Sequence, residues 1–250
     1  MRTKLLGITT LLCTLVSFSQ SFTINNIKLT VTSVNPNTVS VTTGSGADGN
    51  LVIPATVLDN GINYTVTTIG DAAFLEKGLT HVSIPESVTT IGELAFADNQ
   101  LTSVTIPESV ITIESEAFAD NQLTSLTIPE SMTSIGVNVF ANNKLTSVTI
   151  PKSVTSISFR AFFDNLLTEV VAQGKTPSTI LPDTFGDRSL IDLIIPSGTT
   201  DAYIAAGWTG FKSIIYKRRC YFKHKSIRIK DRRTISYKQR SFKYYASRNY

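Results

Sequence analysis

The chain has 250 residues, 42% of them hydrophobic and 17% charged, with two cysteines and two histidines. That length holds one large domain or two, and so few Cys and His residues exclude a disulfide-stapled scaffold or a cysteine-histidine metal cage. The net charge of +4 joins two unlike pieces: residues 217–250 carry 13 of the 23 Lys and Arg against one acid, Asp231, a net of +12, which leaves −8 for residues 1–216.

Residues 1–19 read as a secretory signal. Arg2 and Lys4 supply the charged start, and Leu5 to Phe18 form an apolar run too short to cross a bilayer as a helix. Ser17 and Ser19 have the size and spacing a signal peptidase needs, so cleavage is expected before Gln20. Cys13 follows Leu11 and Leu12 rather than the small residues of a lipoprotein signal. Cleavage leaves Cys220 as the single thiol.

Residues 20–68 read as a β-rich N-terminal cap. Ile24 to Val34 and Val39 to Thr43 alternate as strands around Asn35-Pro36-Asn37, a hairpin signal. Residues 69–195 then repeat with a 22-residue period. The ladders are Pro85, Pro107, Pro129, Pro151; Phe74, Phe96, Phe118, Phe140, Phe162, with Phe185 one residue late; Leu79, Leu101, Leu123, Leu145, Leu167, Leu190; and Ile69, Ile91, Ile113, Ile135, Ile157. A fixed period in this range marks a solenoid, in which no unit buries its apolar face alone.

One unit, Leu101 to Gln122, reads LTSVTIPESVITIESEAFADNQ. Leu101, Val104 and Ile106 follow the L-x-x-L-x-L strand pattern, with Ser103 and Thr105 facing outward. Pro107 has no N–H for a ladder and ends the strand. Val110, Ile111 and Ile113 read as a second strand on the opposite side of the coil, Ala117 and Phe118 enter the core, and Asp120-Asn121 turn the chain. Asn99, Asn121, Asn143 and Asn165 repeat at that turn, where each can bond neighbouring backbone or another copy. The acids beside them read as turn chemistry rather than a calcium site, since the glycines of calcium-binding repeats are missing. Residues 167–195 are degenerate last coils, with Lys175-Thr-Pro-Ser where a turn belongs. Residues 196–216 form a C-terminal cap: Thr200 caps a short helix from Asp201 to Ala206, Gly207 stops it, and Tyr203, Trp208 and Phe211 lie over the last coil.

The basic tail, residues 217–250, has no Gly, Pro, Val, Leu or Glu. Three readings fit it: an anion- or nucleic-acid-binding arm, a basic hairpin in which Ile227/Ile229 and Ile235/Tyr237 alternate, or a disordered or out-of-frame segment.

The units LTSVTIPESVITIESEAFADNQ, LTSLTIPESMTSIGVNVFANNK and LTSVTIPKSVTSISFRAFFDNL resemble the BspA-type leucine-rich repeat of bacterial surface proteins, the run I-P-x-S-V-x-x-I followed by A-F being the specific part. The flanking stretches LVIPATV and IIPSGTTDAYIAAGWTGFKSI also resemble that family's caps. The resemblance implies a secreted or surface-displayed protein that binds host matrix proteins.

The fold expected is therefore mainly β: a leucine-rich-repeat solenoid with a β-rich entry cap and a short helical exit cap. No nucleophile elbow, zinc-helix motif or phosphate loop is present, so neither catalytic residues nor a cofactor or metal is expected. The function expected is a non-catalytic secreted or cell-surface adhesion protein, a monomer without a transmembrane segment, that binds a host or environmental protein or glycan. Its candidate site is the outward strand face: His81, Ser103, Ser125, Ser147 and Glu169 in one row, and Ser83, Thr105, Thr127, Thr149 and Val171 in the next. Such hydroxyls can also simply keep a sheet soluble and pair across coils. The alternative function is anion or nucleic-acid binding through the basic tail.

Overall fold

The computed structural model describes residues 20–46 and 49–217; the expected signal segment and the tail beyond Lys217 lie outside the described residues. The chain opens with β1 (Ser21–Ile24), β2 (Ile27–Val34) and β3 (Asn37–Gly44), followed by β4 (Asn50–Val52), β5 (Thr56–Asp59) and β6 (Ile62–Ile69). The single strand expected from Ile24 to Val34 is broken. Asn25 and Asn26 both adopt positive φ, so β1 and β2 fold back as an antiparallel hairpin. The hairpin at Asn35-Pro36 is present, with Val34 opposite Asn37.

Two sets of parallel ladders then run along the stack. On one side β3 pairs with β6, β6 with β8 (Thr90–Ile91) and β8 with β9 (Thr112–Ile113); further along, β10 (Ser134–Ile135) pairs with β12 (Ser156–Ile157). The other side carries β4 with β7 (His81–Ser83). Its second group joins β11 (Ser147–Ile150), β13 (Glu169–Ala172), β14 (Asp192–Pro196) and β15 (Ser213–Lys217) in that order. The second strand of each coil is shorter than the sequence suggests. In the unit at 101–122 only Thr112 and Ile113 form it, while Ile111 is 59% exposed.

Between the ladders lies one apolar core. Phe74, Phe96, Phe118, Phe140, Phe162 and Phe185 form a single column, each ring stacked on the next with centroids 5.2–5.9 Å apart. Gly44 closes the column's first end, for a Cβ there would sit 2.7 Å from Phe74 Cε1. The leucine ladder is buried from Leu79 to Leu167, but Leu190 is 68% exposed and Ile191 is buried in its stead. The 23-residue offset of β13 and β14 sets Leu190 opposite Leu167, so the exchange is local: the chain turns at Ser189–Leu190, with the Ile191 N–H on Arg188 O at 3.0 Å, and Ile191 enters the core.

In the asparagine ladder Asn99, Asn121 and Asn143 are buried and Asn165 is half-buried, and the copies bond backbone rather than one another. Asn121 Nδ2 donates to the carbonyls of Phe96 (2.9 Å), Phe118 (3.3 Å) and Ala119 (3.0 Å), while Oδ1 accepts from Leu101 N–H at 3.0 Å. Asn99, Asn143 and Asn165 repeat this arrangement. Each amide thus satisfies the turn of its own coil and the turn below, where helix or sheet bonds are not available. Asp98, Asp120, Asn142 and Asp164, one residue earlier, hold the positive φ that tightens this turn.

In the last coil Arg188 takes the asparagine's place. Its guanidinium donates to the carbonyls of Leu181 (2.7 Å), Gly207 (3.1 Å) and Thr209 (3.1 Å), tying the final turn to the exit cap. Burial lowers its pKa from the ordinary arginine value. Because a planar fork is needed to reach carbonyls on two segments, Arg188→Lys is expected to lose nearly as much stability as Arg188→Ala, about 3 kcal/mol in urea unfolding.

The cap helix α1 spans Thr200–Ala205. Thr200 is its first residue, not its cap; Thr199 holds the N-cap position and its hydroxyl donates to Pro196 O instead. Gly207, at φ +85°, ends the helix as expected. Trp208 and Tyr203 are buried over the last coil, with Trp208 5.6 Å from Phe185 and its indole N–H on Ser178 O at 2.8 Å. Burial also raises the Tyr203 pKa to about 12; its hydroxyl donates to Gly174 O at 2.6 Å. Among the described residues, no helix is long and apolar enough to cross a membrane.

Candidate ligand-binding face

The strand side of each coil follows from the alternation of its sequence. Val104, Ile106, Val148 and Ile150 point inward and are buried, so the residues between them must face out. His81, Ser83, Ser103, Thr105, Ser125, Thr127, Ser147 and Thr149 are all exposed. The register of β4, β7, β11, β13, β14 and β15 extends the first row at both ends, with Asn50 beside His81, and Asp192 and Ser213 beyond Glu169. The second row continues from Val52 through Val171, Ile194 and Ile215.

The ladder is not uniform along this face. Ser103, Thr105, Ser125 and Thr127 follow the outward path, but their segments are not joined to their neighbours as strands; regular pairing resumes at β11. One backbone bond, Thr124 N–H to Thr102 O at 3.1 Å, links these two coils beside the face.

Many other hydroxyls of the solenoid are tied to backbone, although Ser153 Oγ, in the ladder of Ser109 and Ser131, is buried without a partner. Ser109, Ser131 and Ser178 donate to carbonyls at 2.6–2.7 Å, and Thr89, Thr155 and Thr179 bond the coil below at 3.1–3.5 Å. Thr124 and Thr168, at the margin of the strand face, do the same at 3.3–3.4 Å. In contrast, among the described residues the side chains of Ser83, Ser103, Thr105, Ser125, Thr127, Ser147 and Thr149 have no hydrogen-bond partner. The cross-coil pairing that would make them self-sufficient is not formed. His81 Nδ1 lies 3.1 Å from Thr80 Oγ1.

The C-terminal end of the face differs in chemistry, and sequence reasoning missed it. Val171, Ile194 and Ile215 form a half-buried apolar row beside Glu169 and Asp192, and Asp192 is held by Lys212 (3.4 Å) and by the Ser213 hydroxyl (2.8 Å). The doublets Ile194-Ile195 and Ile214-Ile215 carry the signal, one residue of each facing the core and the next facing out.

Acidic residues gather elsewhere, along the edge formed by the phenylalanine turns. Asp98 there is raised above the ordinary carboxylate pKa, first by desolvation and then by Asp120, Glu76 and Glu116. Among the described residues no group of three or more His, Cys, Asp or Glu is placed to hold a metal ion.

A stacked, capped solenoid with 22-residue coils and an inward leucine-isoleucine-phenylalanine core is a leucine-rich-repeat protein. A family model for the BspA type leucine rich repeat region matches six copies over residues 67–191, and the chain belongs to that family. Among solved structures, the pneumococcal vaccine antigen PcpA shares the fold, with a TM-score of 0.54 and 18% identity over 79% of this chain and 70% of its own. A leucine-rich repeat protein from Bacteroides capillosus is 27% identical over 62% of this chain and 99% of its own, with a TM-score of 0.38. A leucine rich cell surface protein from Faecalibacterium prausnitzii is 17% identical over 80% of this chain and 96% of its own, with a TM-score of 0.37. No curated protein gives a significant match.

Proposed function

We propose that this chain is a non-catalytic binding protein, secreted or displayed at the cell surface, that captures a protein or glycan of the host or environment through its strand face. The observation that carries the reading is the set of unpartnered hydroxyls in two adjacent exposed rows, on a scaffold where hydroxyls such as those of Ser109, Ser131, Thr124 and Thr168 are tied to backbone. Short Ser and Thr side chains lose little rotamer freedom on binding, and the stacked core beneath them is already ordered, so association costs little conformational entropy. A periodic row of donors and acceptors suits an extended partner, either a polypeptide segment or a glycan chain. The export signal read in residues 1–19 and the surface location stated for the Faecalibacterium protein agree with an extracellular role.

Replacing Ser103, Thr105, Ser125 and Thr127 together by Lys tests the assignment. All four are exposed and lie outside hydrogen-bonded strands, so the melt should not move. Capture of extracellular-matrix proteins and glycans is expected to be lost. Capture that survives the four lysines shows that the face is not the site. Capture that instead requires residues 218–250 moves the function to the basic tail.

A further inference from the structure

The edge formed by the phenylalanine turns changes character along the stack. Between residues 71 and 143 these turns hold seven acids and a single Lys or Arg, Lys77, the other three acids standing after the repeat prolines; from 144 to 160 the edge holds Lys144 and Arg160 and no acid. Glu116, Asn138 and Arg160 occupy equivalent positions in three successive coils, each at a positive φ of 53–60°. Along that row the order is anion, amide, cation. Asn138 Nδ2 donates to Glu116 Oε1 at 3.3 Å, while its Oδ1 is buried and has no partner.

Arg160 is unlike the other cations among the described residues. Its guanidinium carbon lies 4.8 Å from the ring centre of Phe159 and 4.6 Å from that of Phe163, so two aromatic rings hold it. Both rings are departures from the repeat. Phe159 stands where Asp71, Glu93, Ser115 and Val137 stand in earlier coils, and Phe163 where Leu75, Ala97, Ala119 and Ala141 stand. Phe159 is 38% exposed and Val137 37%, and Leu181, in the next coil, is 47% exposed. Among the described residues Arg160 makes no ion pair and no side-chain hydrogen bond, and neither do Glu93 and Glu116 pair with any cation. An immobilised guanidinium with free donors, beside exposed apolar side chains, is arranged to receive a carboxylate.

We propose that a second copy of this chain packs antiparallel on this edge, about a two-fold axis near Asn138, so that Arg160 of each copy meets Glu116 of the other. A two-fold interface requires a surface complementary to itself, and a row reading anion, amide, cation is complementary to its own reversal. Arg160 and Glu116 stand two coils apart, about 10 Å at ordinary strand spacing, with Asn138 midway. Reversal about Asn138 brings the two Val137 side chains together and sets each Phe159 near the other copy's Ser115, an apolar centre between two charge contacts. Among the described residues Arg160 is in no ion pair and its side chain in no hydrogen bond, so the incoming Glu116 carboxylate competes with neither. The monomer expected from sequence is then the dissociated form of a dimer that keeps both strand faces free, which raises avidity for a repetitive ligand.

Sedimentation equilibrium of the full chain at low and high salt tests this. The wild type is expected to show a monomer–dimer equilibrium weakened by salt. Arg160→Glu, and separately Glu116→Lys, should each raise the dimer Kd by roughly tenfold or more. An equimolar mixture of the two variants should recover association, since each restores the contacts the other has lost. Unchanged melts confirm that the variants fold. A chain that stays monomeric at every concentration, dimers insensitive to Arg160→Glu, or a mixture that fails to associate overturns the proposal. So does association that disappears only on removal of residues 218–250, which assigns the acidic edge to the basic tail.

Discussion

Phe118→Ala is expected to lower the unfolding free energy by about 3–5 kcal/mol, through the cavity left in the middle of the column. The ring is fully buried, stacked between Phe96 at 5.2 Å and Phe140 at 5.9 Å, so neither neighbour can turn to fill the space without leaving its own stack. Burial of one such ring removes roughly 150–250 Å² from water. Phe118→Leu keeps much of the volume and should lose less than half as much, since volume-conserving apolar changes are tolerated best. Urea unfolding followed by circular dichroism gives both numbers. A wild-type midpoint in Phe118→Ala would mean that the rings are not the spine of the stack.

Asn121→Ala is expected to be nearly as damaging, about 2–4 kcal/mol, although it removes only an amide. The side chain supplies Nδ2 to the carbonyls of Phe96, Phe118 and Ala119 and accepts from the Leu101 N–H, all within a buried turn. Without it the Leu101 N–H loses its partner, an orphan that costs on the order of 1–3 kcal/mol, while the Phe96, Phe118 and Ala119 carbonyls each lose one donor and keep another, Asn99 Nδ2, Asn143 Nδ2 and the Asp98 N–H. Asn121→Asp keeps the acceptor but sets a carboxylate against three carbonyl oxygens. Its folded-state pKa should rise, so the charged form is disfavoured and stability should improve as pH falls towards the carboxyl range. The measurement is the urea midpoint of each variant at neutral and acid pH. An Asn121→Asp protein as stable as wild type at neutral pH would contradict the bonding scheme.

Much of this arrangement is legible in the sequence because a repeat multiplies its signal. The position of Phe118 is ambiguous in one unit but not in five, and the alternation around Val104 and Ile106 fixes which hydroxyls face outward. The asparagines were legible as turn residues. Their burial was not, since nothing in the sequence says that the amide serves the coil below as well as its own. The failures fall where the period fails. Leu190 matches the ladder by identity and by the 23-residue offset of β13 and β14, and the exchange with Ile191 depends on the local turn that closes on Arg188 O. Arg188 could not be recognised as the last member of the asparagine column, because it does the same bonding with a different side chain and reaches into the exit cap. At the entry, Asn25-Asn26 is a hairpin signal hidden inside an apolar alternation. Of the candidate site, sequence gave membership and exposure. That every hydroxyl of the two rows lacks a backbone partner, while Ser109, Ser131, Thr124 and Thr168 each have one, depends on how the coils approach one another and is not written in the alternation.

The central claim is that the core columns hold the coils in place while the strand face remains available to a partner. Amide hydrogen exchange, compared with and without a captured matrix protein or glycan, tests it most directly. The Phe and Asn turns should be the slowest-exchanging segments in both states. Partner-dependent slowing should be confined to residues 81–83, 103–105, 125–127 and 147–149. Slowing that falls instead on the phenylalanine-turn edge, the exit cap or the basic tail, with the strand face unchanged, would contradict the account.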